Sequence, residues 1–320
     1  MSTDDRVSIN LCMSNCPIIS IKWMELLDLF KPTDMRIRHY KNGKNVKYNE
    51  KTLMNKMQDE FKFDKFDVYV TNRKSNIHCF KNQNYNGTVL ATAVLEYDTY
   101  MENESRINLL INEIMDESGI VARAVSLTDS VWQSNTQVEM YEMKGKDISG
   151  VPLIDSKTFK GQKEVDVIKL PGYEEQIDGI WFGASWKMWF NQAYYEFIPQ
   201  EAIERFTDCY ENKKISDMCT CITLYEDVMD YDNPENRKRQ WKFKEVINFQ
   251  KIVTELKKVG INRSNDPHVE ILDGSTPITR INKMYLDDNG NNVVRSKATK
   301  IKIIEYDRAG RIISEEEKNM

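Results

Sequence analysis

No glycine-rich phosphate loop can be found in these 320 residues. The pattern G-x-G never occurs, and neither Gly43-Lys44 nor Gly145-Lys146 has the glycine five residues upstream that a P-loop requires. A nucleophile elbow, G-x-S-x-G, is missing as well; Gly183-Ala184-Ser185-Trp186-Lys187 carries only its first half. Histidine is scarce: His39, His78 and His268 are too scattered to form the H-E-x-x-H pair of a zinc hydrolase. The six cysteines offer Cys12-x-x-x-Cys16 and Cys219-x-Cys221, neither with the C-x-x-C spacing of a zinc knuckle. These gaps remove the common nucleotide, serine-hydrolase and structural-zinc readings, and neither a cofactor nor a bound metal is expected.

Long apolar runs are lacking too. No window approaches the roughly 18 consecutive apolar residues of a membrane span. The start, Met1-Ser2-Thr3-Asp4-Asp5-Arg6, is not the basic-then-apolar opening of a secretory signal. The expectation is a cytoplasmic protein with reduced thiols and no membrane partner. Charge of one sign is also wanting: 45 bases stand against 50 acids, a net charge of -5. Nonspecific nucleic-acid binders draw most of their affinity from a basic excess, so nucleic acid is not an expected partner.

What is present is material for a core, with 12 Phe, 6 Trp and 15 Tyr. Val7, Ile9, Leu11 and Met13 alternate with Ser8, Asn10 and Cys12, the period of a half-buried strand. Asn42-Gly43 between Met35–Tyr40 and Asn45–Tyr48 is a hairpin signal, because both turn positions favour positive φ. Ile107, Leu110, Ile111 and Ile114 form a helical stripe. Ile120–Leu127 and Val138–Lys144 read as strands, and residues 145–163 read as a linker rich in glycine. Asn233 as cap and Pro234 at the first turn open a long helix that runs to Val259. A β-meander follows, with turns at Asp287–Asn292 and Asp307–Gly310.

The expected fold is therefore α+β with mostly antiparallel sheets and two lobes. Residues 1–145 would form one domain of short strands and three helices. Residues 146–320 would hold the aromatic stretch, the helix 234–259 and the C-terminal meander.

Three groups of residues could carry function. Trp181, Phe182, Trp186, Trp189, Phe190, Tyr194, Tyr195 and Phe197 put eight aromatics in seventeen residues, where a 10% composition predicts about two. Most fit one helical stripe that would be buried. Trp181 and Tyr195 fall off it, and Tyr and Trp serve well as interface anchors. The leading expectation is a noncatalytic protein-binding protein, toxin-neutralising or otherwise defence-associated, that uses Trp181, Trp186, Trp189 and Tyr195. The same 181–197 aromatics could instead stack on a carbohydrate or a peptide. The catalytic alternative is a metal-dependent hydrolase or nuclease: Asp129 with Glu142 and Lys144, the latter two on one face of a strand, could hold a cation and an attacking water. The basic run Arg237-Lys238-Arg239 reads as a solvated helix face balanced by Glu226, Asp227, Asp230 and Asp232.

Tyr306-Asp307-Arg308-Ala309-Gly310-Arg311 resembles the Y-D-x-x-G-R core of the repeats in large secreted toxin shells. The likeness covers six residues and occurs once. A strand ending in an Asp-x-x-Gly turn accounts for it equally well, and nothing about activity or site residues follows from it.

Overall fold

A computed structural model describes residues 5–63, 65–81, 88–156, 161–259, 268–271, 277–291, 293, 298–307 and 309–320. The fold is α+β and its sheets are antiparallel. Strands β1 (Arg6–Ser14), β2 (Asp34–Ile37), β3 (Val46–Lys47), β4 (Phe66–Thr71), β5 (Asn76–Lys81), β6 (Thr88–Glu96) and β7 (Gly119–Ser126) build most of one large sheet. Two short hairpins follow, β8 (Leu153–Asp155) with β9 (Lys163–Val165), and β10 (Glu175–Ile177) with β11 (Ile180–Phe182). Strands β12 (Lys187–Asn191), β13 (Glu211–Lys214) and β14 (Cys219–Thr223) then rejoin the large sheet. The order across its ten strands is β13-β14-β12-β7-β1-β6-β5-β4-β2-β3. Because β12 lies between β7 and β14, the sheet is continuous across residue 145, where the sequence suggested a domain boundary.

The two faces of the sheet are covered by different parts of the chain. Helices α1 (Pro17–Trp23), α2 (Glu50–Glu60), α3 (Tyr97–Glu102) and α4 (Glu104–Glu117) come from the first 117 residues. Asn49 caps α2 by accepting the Thr52 N–H, and the Leu53 and Met57 side chains point inward. The stripe Ile107, Leu110, Ile111 and Ile114 of α4 is buried, and α4 packs on β7, β12 and β14. On the opposite face Arg123 of β7 lies under Trp181 of β11, and Phe190 of β12 stacks on Phe243. Strand β1, buried on both sides, loses the alternation that β4 retains.

Several sequence expectations change. Among the described residues before 145 there are six α-helices, not three, since α5 (Leu127–Ser134) and α6 (Val138–Met143) complete the set. The expected strand Val138–Lys144 is α6: a short apolar alternation cannot distinguish the two periods, and among the described residues no strand pairs with it. The stretch 181–197 folds as β11, β12 and turns, not as a helix. The helix expected over 234–259 is two, α8 (Pro234–Val246) and α9 (Phe249–Val259), after the short α7 (Gln200–Glu204). The break falls at Asn248, whose φ of 50° ends the first helix in the left-handed conformation that Asn tolerates. The chain does reverse around Asn42-Gly43, with φ of 58° and 65°, but not through the expected two-residue hairpin: β2 and β3 pair at Met35 with Val46, and Lys41–Gly43 forms a short 3-10 turn within a longer loop between them.

The C-terminal residues form a separate four-stranded antiparallel sheet in sequence order: β15 (His268–Ile271), β16 (Arg280–Leu286), β17 (Lys300–Tyr306) and β18 (Ile312–Asn319). Its two Asp-x-x-Gly turns share one geometry. Asp287 Oδ1 accepts the N–H groups of Asn289 and Asn291, and Asp307 Oδ1 accepts those of Ala309 and Arg311. This local bonding explains both the turn at 287 and the Y-D-x-x-G-R segment. Strand β18 is exposed along its length and carries Glu315, Glu316 and Glu317, charges that blunt an open sheet edge. Lys300 and Lys302 of β17 pair with Glu317 and Glu315.

Candidate functional site

The residues picked from sequence as an aromatic interface lie in the core. Trp186 and Trp189 are 1% exposed and Trp181 is 8% exposed. Strand β12 has a strand on each side and a layer on each face, so all five of its side chains are buried. The Trp186 indole N–H donates to Tyr225 O at 2.7 Å, and that of Trp189 to Asn112 Oδ1 at 2.9 Å. Tyr195 is half-buried and its hydroxyl contacts Phe190 O and Thr220 Oγ1, both at 3.2 Å. These four residues present no exposed patch, which removes them both as a protein-docking surface and as a sugar- or peptide-stacking platform. The polar edges of Trp186, Trp189 and Tyr195 are satisfied internally.

The hydrolase constellation also separates. Glu142 lies on α6 and Lys144 follows it, both exposed. Asp129 is 1% exposed in the first turn of α5, where its backbone N–H meets the capping hydroxyl of Ser126. Its carboxylate is gripped by Arg237 of α8, with Nη2–Oδ1 at 2.6 Å and Nη1–Oδ2 at 3.1 Å. Burial moves the Asp129 carboxyl above the ordinary carboxylate range, with Arg237 opposing. For Arg237, burial disfavours the charge, but Asp129 and Asp232 outweigh it and hold the guanidinium above its ordinary range. Among the described residues, no group of three or more His, Cys, Asp or Glu is arranged to hold a metal ion.

Around this ion pair lies a pocket of about 270 Å³ with Trp132, Tyr141 and Tyr231 in its walls and Lys146 and Asp232 among its charges. Lys146 Nζ sits 4.8 Å from the Trp132 ring centroid. Neither Glu142 nor Lys144 lines it. Sequence reasoning missed Arg237 because three consecutive bases at a helix start look solvent-facing, and its partner is 108 residues away.

The pocket opens beside an acidic edge. Asp5, Asp98, Glu226, Asp227, Asp230 and Asp232 are exposed there, around half-buried Tyr97 and Tyr231. The Tyr97 hydroxyl donates to Asp227 at 3.2 Å. Burial, then the charges of Asp227, Asp98 and Asp5, push its pKa up. Tyr231 is raised by burial and then by Asp232 and Asp129, with Arg237 opposing and Asp5 also contributing. Asp232 pairs with Arg237, whereas Asp5, Asp98, Asp227 and Asp230 have no Lys or Arg ion-pair partner among the described residues. Asp5 and Asp98 share a cavity with Arg6, Arg73 and Lys74, the last paired with Glu96 at 2.6 Å, so bases bound this edge on the side of the β4–β5 turn.

A second candidate lies at the junction of α8 and α9, where a groove of about 870 Å³ runs past Ile168, Trp241, Lys244 and Phe249. Lys244 is 2% exposed and donates to the carbonyl oxygens of Leu170 and Tyr173, at 3.0 and 3.1 Å.

Among the described residues, no helix is long and apolar enough to cross a membrane. No family model matches the chain. No curated protein matches it either. Among solved structures it is similar to Pseudomonas aeruginosa T6SS protein PA0821, at 10% identity over 77% of this chain and 74% of that chain, with a TM-score of 0.47.

Proposed function

We propose that this chain is a noncatalytic binding protein that recognises a basic protein partner through the acidic edge around Tyr97 and Tyr231. The observation that carries this reading is the convergence of Asp5, Asp98 and Asp227 on Tyr97, with Asp230 and Asp232 beside Tyr231. Asp232 is paired with Arg237, but exposed carboxylates such as Asp98 and Asp227 that pair with no Lys or Arg among the described residues steer association of a complementary charge. Tyrosines within such a patch add contact area at low rotamer cost. In its finer form the partner is a toxin that the protein neutralises, or another defence-associated protein.

The test is recovery of partners by the tagged chain from its native host, beside the variant Asp98→Lys/Asp227→Lys. A single stoichiometric basic protein, lost from the variant and released as salt shortens the Debye length toward about 3 Å, is the expected result. Absence of any stoichiometric partner, or a partner that the variant retains, would refute the reading.

A further inference from the structure

The Lys244 ammonium is a buried cation without a counter-ion. Its charge is faced by the rings of Phe249, Trp241 and Tyr173, with centroids at 4.3, 4.9 and 5.7 Å, and by the two backbone carbonyls of Leu170 and Tyr173. No carboxylate pairs with it among the described residues. An ammonium has three N–H donors, and two are used. The groove alongside is within the size range of small-molecule sites, and its apolar surface is supplied by Ile168, Trp241 and Phe249.

We propose that this groove binds a small amphipathic carboxylate, its apolar body on Trp241 and Phe249 and its carboxylate on the remaining N–H of Lys244. An anion there supplies the counter-charge that the fold withholds, and a charge-assisted hydrogen bond at a desolvated amine is among the stronger polar contacts available. The same walls would leave a neutral analogue with apolar contact alone. A cationic analogue would meet Lys244 directly, with Lys169 and Lys251 also on the rim. Glu245 and Glu255 lie on that rim too. Burial lowers the Lys244 pKa to about 7. Of the other charged groups on the packed elements, Lys169 is tied to Asp166 at 3.0 Å and Lys257 to Glu175 at 2.7 Å. Since the carboxylate needs the ammonium form, affinity should fall as pH rises through and above 7. This site does not depend on the acidic-edge reading.

The experiment is equilibrium dialysis of the full chain against decanoate, decanol and decylammonium. Decanoate should bind one to one and more tightly than decanol by about ten- to a hundredfold, the worth of one hydrogen bond to a charged group. Decylammonium should bind no better than decanol. Decanoate affinity should drop by up to about tenfold per pH unit above neutrality while decanol binding stays level, because the carboxylate itself is already ionised there. Lys244→Met should erase the preference for decanoate. If that variant melts early from losing its hold on Leu170 and Tyr173, the decanoate-to-decanol ratio and its pH dependence in the native chain decide alone. Trp241→Ala, at a partly exposed position, should weaken both ligands alike. Equal binding of decanoate and decanol, a preference independent of pH, or no saturable binding of either would overturn the proposal.

Discussion

Removing Asp129 tests whether its ion pair with Arg237 holds the fold or merely decorates it. Asp129 is 1% exposed and the Arg237 side chain is 16% exposed, so both charges are largely out of water. Two unit charges about 4 Å apart attract by about 4 kcal/mol at an effective dielectric of about 20. Breaking such a pair from one side strands the other charge and typically costs about 3–5 kcal/mol. Asp129→Ala should therefore lose about 3 kcal/mol, slightly eased because Arg237 keeps its contact with the exposed Asp232 at 3.0 Å. Arg237→Met strands the carboxylate instead, and its deficit has a signature in pH. Burial already sets the folded pKa of Asp129 above the unfolded one. Without the guanidinium it rises further, so the folded state then holds a proton that the unfolded state has released. Stability of Arg237→Met must fall as pH climbs from about 4 through that raised pKa, and level off above it. The double variant should lose less than the sum of the singles by at least about 2 kcal/mol. Urea unfolding followed by tryptophan fluorescence measures all three. A loss under about 1 kcal/mol for Asp129→Ala, or additivity in the double variant, would refute the argument.

Two further outcomes follow from buried groups. Burial sets Lys244 near 7 in the folded chain, below its unfolded value, so between about pH 7 and about pH 10 the unfolded state binds more protons. Stability should rise with pH there by up to about 1.4 kcal/mol per unit, and the rise should vanish in Lys244→Met; equal slopes in urea titrations of both would contradict this. Burial pushes the thiols of Cys79, Cys219 and Cys221 up to about 12, and a maleimide at neutral pH should spare them while labelling half-buried Cys16 and Cys209; labelling of Cys79 in the folded chain, read by mass spectrometry, would count against its burial.

The antiparallel character of the C-terminal sheet was legible because its Asp-x-x-Gly turns declare themselves within a few residues, whereas β2 and β3 join through a longer loop around Asn42-Gly43 than that dipeptide implies. The aromatic stretch shows the limit of that locality. Its residues satisfy a helical spacing, yet Lys187–Asn191 is fully buried between β7 and β14, where a strand with no alternation is what two covered faces demand. Asp129 was picked from sequence for metal chemistry alone. Its actual partner, Arg237, and the burial of Lys244 depend on contacts over 108 and 74 residues, which no periodicity encodes.

Helix α8 explains why a run of bases that looks solvent-facing is not. Lys238 and Lys242 do face outward and pair with Glu235 and Asp208. Arg237, Gln240 and Lys244, spaced three and four apart, share the opposite side. Arg237 reaches Asp129 and Asp232, Gln240 donates to Ala184 O at 3.1 Å, and Lys244 holds Leu170 and Tyr173. One face of one helix thereby fastens α5, the acidic edge, the connection between β11 and β12, and the turn before β10. The acidic edge and the groove are separate sites, but their charged anchors stand seven residues apart on a common rigid element. A displacement of α8 strong enough to break the Asp232 contact must also move the Lys244 amine. Ligand in the groove and partner on the edge should therefore be coupled through this helix, and the coupling would have to be equal in both directions. Decanoate that changes partner affinity by some factor must have its own affinity changed by the partner by that same factor. Independence of the two would mean that α8 is held firmly enough by Phe243 and its stacking on Phe190 to isolate its ends.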